Sequence, residues 1–208
     1  MKYLYHITHI DNLADIIKMD GLWCDAERIR KQIKTTNIAH SHLKERRDRW
    51  PVPVAAGGFV SDYVPFYFAP LSPMLYAIYR GNVEGYEGGQ KDVIYLVTSA
   101  EIASQQDKQW CFTDGDAYLR ITDYYDSLDL LKTVIDWQVM RDKYWNKIPA
   151  DTDRPRRRKA EFLVYKFFSW TGISGIGTFN TEILDRVVEL TNSNKHQPQV
   201  KVVRQWYY

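Results

Sequence analysis

The apolar positions change period several times along the chain. Tyr3 to Ile7 is a run of β-formers and predicts a first strand, with His6 near its end. Thr8-His9-Ile10-Asp11 has the form of a capping box with Asp in place of Glu, so Thr8 is expected to open a helix. Leu13, Ile16 and Ile17 then recur at helical spacing, and Gly21 marks the stop. Across residues 25–50 the apolar positions Ile29, Ile33, Ile38 and Leu43 are too sparse for a buried helix. One or two surface helices are predicted there, with Arg46 and Arg47 near the end. Val64 to Ala69 reads as a strand, and Pro65 puts it near a sheet edge or at the start of pairing. Ser72-Pro73 supplies an N-cap and a first-turn proline for a helix running to Tyr79. Val93 to Ser99 is the strongest strand, Trp110 to Thr113 a short one, and Asp114-Gly115-Asp116 a turn. Leu128, Leu131, Ile135 and Trp137 predict an amphipathic helix within residues 126–145, followed by a Pro-, Arg- and Asp-rich loop over 146–160. Strands near 161–168, 176–179 and 200–206, with a helix over 182–192, complete the chain. Many short strands with irregularly placed helices, and no βαβ rhythm, predict an α+β fold with a mostly antiparallel sheet. No linker or repeat divides residues 1–208, which predicts one domain.

Composition narrows the classes. No apolar run approaches the roughly 18 residues that span a bilayer, and Met1-Lys2-Tyr3-Leu4-Tyr5-His6 has no signal-peptide character. Two cysteines give neither a disulfide framework nor a zinc pattern, and the five histidines form no metalloprotease motif. A cytoplasmic protein with reduced thiols and no metal is expected. No nucleophile elbow, P-loop or dinucleotide fingerprint is present. Aromatics reach 14%, with 15 Tyr and 7 Trp, a content that serves a core, base stacking or both.

Charge changes the picture more. The net charge is only +2, yet residues 154–159 carry five cations and no anion, and residues 28–49 carry eight cations against two anions. The remainder is acidic. Such segregation suits a polyanion-binding surface; a solvated helix face is the plainer reading of 28–49. Pro155 and the β-run that follows are expected to exclude a helix at 154–159. Arg154, Arg156, Arg157, Arg158 and Lys159 then lead directly into Glu161, which opens the strand Phe162 to Tyr165. A carboxylate fixed by a strand beside a cationic loop is well placed for chemistry on a polyanion.

Three pieces are more specific together than apart: Tyr5-His6-Ile7-Thr8, Phe66-Tyr67-Phe68-Ala69 with Tyr76 beyond it, and Glu161-Phe162-Leu163-Val164-Tyr165. In that order they resemble the histidine, tyrosine and glutamate elements of the ADP-ribosyltransferase fold. Longer pieces, Tyr5 to Leu13, Glu45-Arg46-Arg47, Gly57-Gly58, Asp62 to Phe68, Ser72 to Tyr76, Gly88-Gly89-Gln90 and Ala160 to Val164, resemble the DarT family of DNA ADP-ribosyltransferase toxins. The resemblance covers nearly the whole chain. Leu71 stands where several relatives carry an Arg, which affects a phosphate contact and not the chemistry.

The resemblance implies an ADP-ribosyltransferase fold with a split, mostly antiparallel sheet and peripheral helices. It implies transfer of ADP-ribose from NAD⁺ to a thymidine base in single-stranded DNA. Arg47 and Glu161 match the catalytic residues, and His6, Ile7, Thr8, Asp15, Trp23, Arg47, Tyr67 and Tyr76 are the expected NAD⁺ contacts. Tyr67 and Tyr76 are expected to sandwich the nicotinamide. Arg47 either takes the acceptor's proton or stabilises the deprotonated base, and an Arg is a poor base at its ordinary pKa. Residues 28–49 resemble the NAD⁺-binding element and about 115–160 the acceptor-recognition loop, with the cations of 154–159 on DNA phosphates. The implied partner is a DarG-like antitoxin, a macrodomain ADP-ribosylglycohydrolase, acting on a monomeric toxin. Two alternatives remain open from the residues. One is the same chemistry on guanine, RNA or protein. The other is an inert nucleic-acid-binding module with a degenerate NAD⁺ pocket.

Overall fold

The computed structural model describes residues 1–106 and 109–208, with backbone only for Ser41 and His42. Ten strands form: β1 (Tyr3–His9), β2 (Gly21–Trp23), β3 (Tyr63–Tyr67), β4 (Val93–Ser99), β5 (Trp110–Asp116), β6 (Tyr124–Tyr125), β7 (Ala160–Tyr165), β8 (Phe167–Ser169), β9 (Gly175–Thr178) and β10 (Gln199–Val202). Eight of them make one sheet in the order β10-β9-β4-β1-β3-β7-β5-β6, and β2 pairs with β8. Every pair is antiparallel except β9 with β10. All seven residues of β4 are buried, because apolar clusters cover both faces of the sheet. One cluster gathers Leu13, Phe66, Leu96, Phe162 and Trp170; the other gathers Ile7, Leu75, Ile78, Tyr95 and Tyr207.

The sheet is split where the sequence expectation misplaced Pro65. β3 is not an edge: it lies between β1 and β7 and pairs with β7 from Tyr63↔Tyr165 to Tyr67↔Glu161. Its pairing with β1 is reduced to Tyr5↔Tyr67. Proline has no N–H to offer a ladder, so the missing rung faces β1, and His6 Nδ1 bonds the Pro65 carbonyl at 2.9 Å instead. On the other side of β1, Ile10 N donates to Asp92 O and Lys2 O accepts from Ala100 N, so the even-numbered residues bond toward β4. Alternation along the strand turns the main-chain groups of Ile7 toward the gap.

Other differences have local causes. β1 runs through Thr8, and the following turn is capped by His9, whose Nδ1 accepts from Asp11 N at 3.2 Å. Asp114-Gly115-Asp116 is the end of β5, where the pairing with β7 is irregular between Phe112 and Asp116, not a turn. The amphipathic stretch within 126–145 is broken into Leu131–Val134 and Trp137–Arg141, because Asp136 Oδ1 accepts from Gln138 N and Val139 N and starts a new helix. Arg154–Arg157 does form one helical turn; Pro155 lies in that first turn, where its missing N–H costs nothing. Lys166, with φ 57°, separates β7 from β8.

Candidate active site

A cavity of about 400 Å³ opens at the split. It is lined from β1 by His6, Ile7 and Thr8, from β3 by Pro65 and Tyr67, and from β7 by Glu161. Asp15, Trp23, the 33–40 segment and Arg47 close the other side. The cavity exists because the ladder between β1 and β3 stops after one pair.

Glu161 is held from two directions. Its N–H donates to Thr113 Oγ1 at 3.0 Å, and that buried hydroxyl donates in turn to Gly115 O at 2.7 Å. Arg47 ends the helix Ser41–Arg47, where the cation suits the helix dipole. From there its Nη1 reaches both Glu161 oxygens, at 3.0 and 2.9 Å. Burial pushes the Glu161 carboxyl up from its ordinary value, and Arg47 pulls the other way. Burial opposes the charge on Arg47, but the Glu161 carboxylate outweighs it and raises the guanidinium pKa further. Arg47 is thus a fixed cation.

His6 Nδ1 faces a carbonyl oxygen, which only accepts, so Nδ1 carries the proton and Nε2 is an acceptor. Burial lowers its pKa, with the Pro65 carbonyl opposing. A neutral imidazole with a lone pair toward the cavity suits a hydroxyl donor. Trp23 stacks obliquely on Phe167 at 4.5 Å, and Lys31 Nζ lies 4.3 Å from the centre of a Trp23 ring. Among the described residues, Trp23 Nε1, Arg28 Nε and Arg47 Nη2 are buried donors with no partner, and all three residues line the cavity. Buried donors left open in one cleft fit a ligand rich in oxygen acceptors, such as a dinucleotide.

Asn12, a residue that the helical pattern gave no reason to single out, ties the cavity together. Its Nδ2 donates to Thr8 Oγ1 and to Thr36 O, each at 3.0 Å, and its Oδ1 accepts from Thr36 N at 2.7 Å. It thereby fastens the 33–40 segment to β1. Arg28 bonds the Thr35 hydroxyl and Asp25 beside it. Asp116, Tyr118 and Lys159 also line the cavity near Glu161, with Lys159 Nζ 2.9 Å from Asp116.

Seven of the eight expected NAD⁺ residues line one cavity: His6, Ile7, Thr8, Asp15, Trp23, Arg47 and Tyr67. Tyr76 does not. It lies on another face of the helix Pro73–Tyr79, half-exposed against Tyr79, Trp145 and Tyr208. Pro73, Met74 and Ala77 take the cavity side of that helix.

The cationic run is engaged within the protein. Arg154 pairs with Asp142, Arg156 with Asp114 and Asp153, Arg157 with Asp136, Asp151 and Asp153, and Lys159 with Asp116. Arg158 is buried, donating to the carbonyls of Val139, Met140, Asp142, Pro70 and Leu71. These side chains hold the 136–160 region together. Carboxylates both nearby, Asp151 and Asp153, and distant, Asp114, Asp116, Asp136 and Asp142, pair with a run that looks unopposed within 154–159.

A family model described as "ssDNA thymidine ADP-ribosyltransferase, DarT" matches residues 5–208. The chain belongs to the DarT family. It is 39% identical over 208 residues to a DNA ADP-ribosyl transferase of Thermus sp. strain 2.9, covering 99% of this chain and 95% of the relative. The solved structure of Thermus sp. 2.9 DarT with ADP-ribosylated ssDNA superposes with TM-score 0.91 at 37% identity, over 100% of this chain and 96% of that one. The same DarT with NAD⁺ gives 0.88 at 35% identity, over 100% and 98%. A Thermosipho africanus relative, 27% identical over 96% of this chain and 48% of its own length, is a DNA ADP-ribosyl transferase–DNA ADP-ribosyl glycohydrolase fusion protein. DarT membership makes this chain a DNA ADP-ribosyltransferase with the α+β ADP-ribosyltransferase fold, as its motifs implied.

Proposed function

We propose that the cavity binds NAD⁺ as substrate and that Glu161 and Arg47 carry the transfer of its ADP-ribose to a thymine ring nitrogen in single-stranded DNA. The observation that supports this most is the buried Arg47–Glu161 pair beside a neutral His6 in one cleft. His6 Nε2 accepts from a ribose hydroxyl, and the main chain of Ile7, turned into the gap, holds the nicotinamide amide. Trp23 and Tyr67 bound the ring. Breaking the nicotinamide–ribose bond leaves an oxocarbenium-like sugar. The Glu161 carboxylate orients the ribose and stabilises that charge. The thymine nitrogen bonds the ribose carbon as the nicotinamide–ribose bond breaks and neutral nicotinamide leaves, and the nitrogen's proton passes to water. A guanidinium whose pKa is raised is not a base, so Arg47 acts by stabilising the negative charge that builds on the thymine.

In this reading residues 28–49 hold the dinucleotide and about 115–160 present the acceptor, with Asp116, Tyr118 and Lys159 nearest the reacting atoms. The protein acts in the bacterial cytoplasm as a monomeric toxin, opposed by a macrodomain ADP-ribosylglycohydrolase. The two-activity Thermosipho relative supports that pairing. The deciding experiment incubates the protein with NAD⁺ and single-stranded oligonucleotides that contain or lack thymine. An added ADP-ribose mass confined to thymine is expected. Modification of guanine, RNA or protein alone would overturn the acceptor assignment.

A further inference from the structure

The side chains of the expected cationic run are largely engaged inside the protein. The chain has another surface with the right chemistry. Tyr76 and Tyr79, three residues apart on the helix Pro73–Tyr79, are 40% and 50% exposed. Tyr79 stacks on Tyr208 with ring centres 5.8 Å apart and planes 26° from parallel. Tyr76 packs edge-on to Tyr208 at 5.0 Å and to Trp145 at 6.0 Å. The group is rigid: Trp145 Nε1 donates to Tyr208 OH at 3.0 Å, and Tyr208 OH donates to Leu71 O at 2.6 Å. The two segments that frame it, residues 70–83 and 143–150, contain no Asp or Glu. They carry Arg80, Lys143 and Lys147, all exposed. The cavity lies on the neighbouring face of the same helix, through Met74 and Ala77.

Exposed aromatic faces beside exposed cations are what a single strand needs: each base stacks on a ring and its phosphate meets a cation. We propose that the Tyr76–Tyr79–Tyr208 cluster is a stacking platform for nucleotides flanking the modified base, with Arg80 and Lys143 on their phosphates. This rests on the reading of the chain as an enzyme of single-stranded DNA. The platform prolongs the ring stack that Tyr208 and Tyr79 begin, and it reads no sequence, because every base offers a π-face. It gives Tyr76 a role that its distance from the NAD⁺ contacts otherwise leaves unassigned.

The test compares full-length wild type with Tyr79→Ala, Tyr79→Phe and Arg80→Gln. Affinity is measured for thymine-containing oligonucleotides of increasing length, some with 2-aminopurine beside the thymine, alongside NAD⁺ titration. Wild type is expected to gain affinity once the strand extends past the acceptor and to quench the flanking 2-aminopurine. Tyr79→Ala should lose about tenfold on long strands, little on the shortest, and the quenching with it. Tyr79→Phe should behave as wild type, Arg80→Gln should lower the salt dependence, and NAD⁺ binding should not move. Tyr79→Ala binding long strands as wild type does would overturn the platform, as would quenching that persists in it. Failure of wild type to bind or modify any single strand would instead overturn the underlying activity, so the two failures are distinguishable.

Discussion

One nitrogen of Arg47, Nη1, stands 3.0 and 2.9 Å from the two oxygens of Glu161, while Nη2, also buried, has no partner among the described residues. The pair is therefore half of a fork. One prong fixes the carboxylate, and the other is a buried donor open to a further acceptor. Position 47 thus serves both the geometry of Glu161 and the charge of the cleft.

Glu161→Gln should separate these roles. The amide still accepts from Arg47 but carries no charge, so the transfer rate should fall by about 10²–10³-fold with NAD⁺ affinity largely kept. Glu161→Ala leaves a buried guanidinium alone, which costs about 3–5 kcal/mol, so its Tm should fall by several degrees more. Single-turnover rates and thermal melts of both variants check this; a Gln variant with wild-type turnover would remove Glu161 from the chemistry.

Arg47→Ala should abolish modification, whereas Arg46→Ala should change it less than about threefold. Arg46 is exposed on the same helix, while Arg47 is turned inward to Glu161. Because the Arg47 pKa is raised, the activity of wild type should show no titration assignable to it below pH 10. Equal, mild losses in both variants would remove Arg47 from the chemistry.

The pH dependence of NAD⁺ binding should come from His6. Its folded pKa lies below the ordinary imidazole value, so the neutral form is the folded form. The stability it contributes is present above the unfolded pKa, about 6.5, and is lost as pH falls toward the lowered folded value. Protonation also removes the Nε2 acceptor. KM for NAD⁺ should be flat from neutral pH upward and rise on the acid side, and His6→Asn should flatten that acid limb. An identical acid limb in the variant would assign it to another group.

Replacing Arg156, Arg157 and Arg158 with Gln should act on stability, not on the electrostatics of DNA binding. Arg158 alone donates to five carbonyls, and each buried group left unpaired costs roughly 1–3 kcal/mol. A lower Tm is expected, with a log–log salt slope for oligonucleotide binding unchanged in the fraction that stays folded. A slope shallower by roughly 0.7 per arginine would return these side chains to the phosphates.

Most of the fold was legible because its signals are local. The unbroken apolar run of β4, the Ser72-Pro73 cap and the β-run after Glu161 each specify an element without help from elsewhere. The site was legible as motif, in that His6, Arg47, Tyr67 and Glu161 meet in one cavity. What escaped was long-range. Pro65 reads as an edge residue because nothing nearby reveals that His6, 59 residues away, supplies a substitute partner. The arginine run reads as a free cationic surface because the carboxylates of Asp114, Asp116, Asp136 and Asp142 reach it only through folding. Asn12 lies inside the Tyr5–Leu13 motif, but its role is not legible there, since its bonds to Thr36 exist only once the 33–40 segment has folded back.

The gap at Pro65 also has a mechanical meaning. The sheet is two four-strand plates, β10-β9-β4-β1 and β3-β7-β5-β6, riveted at Tyr5↔Tyr67. His6 rides on one plate, and Tyr67 and Glu161 on the other. The width of the cavity between them is therefore set by the angle at a single rivet and by the His6–Pro65 stay beside it. A residue with an N–H at position 65 would offer the plates one more rung, and the sheet would gain continuity at the expense of the slot that divides it.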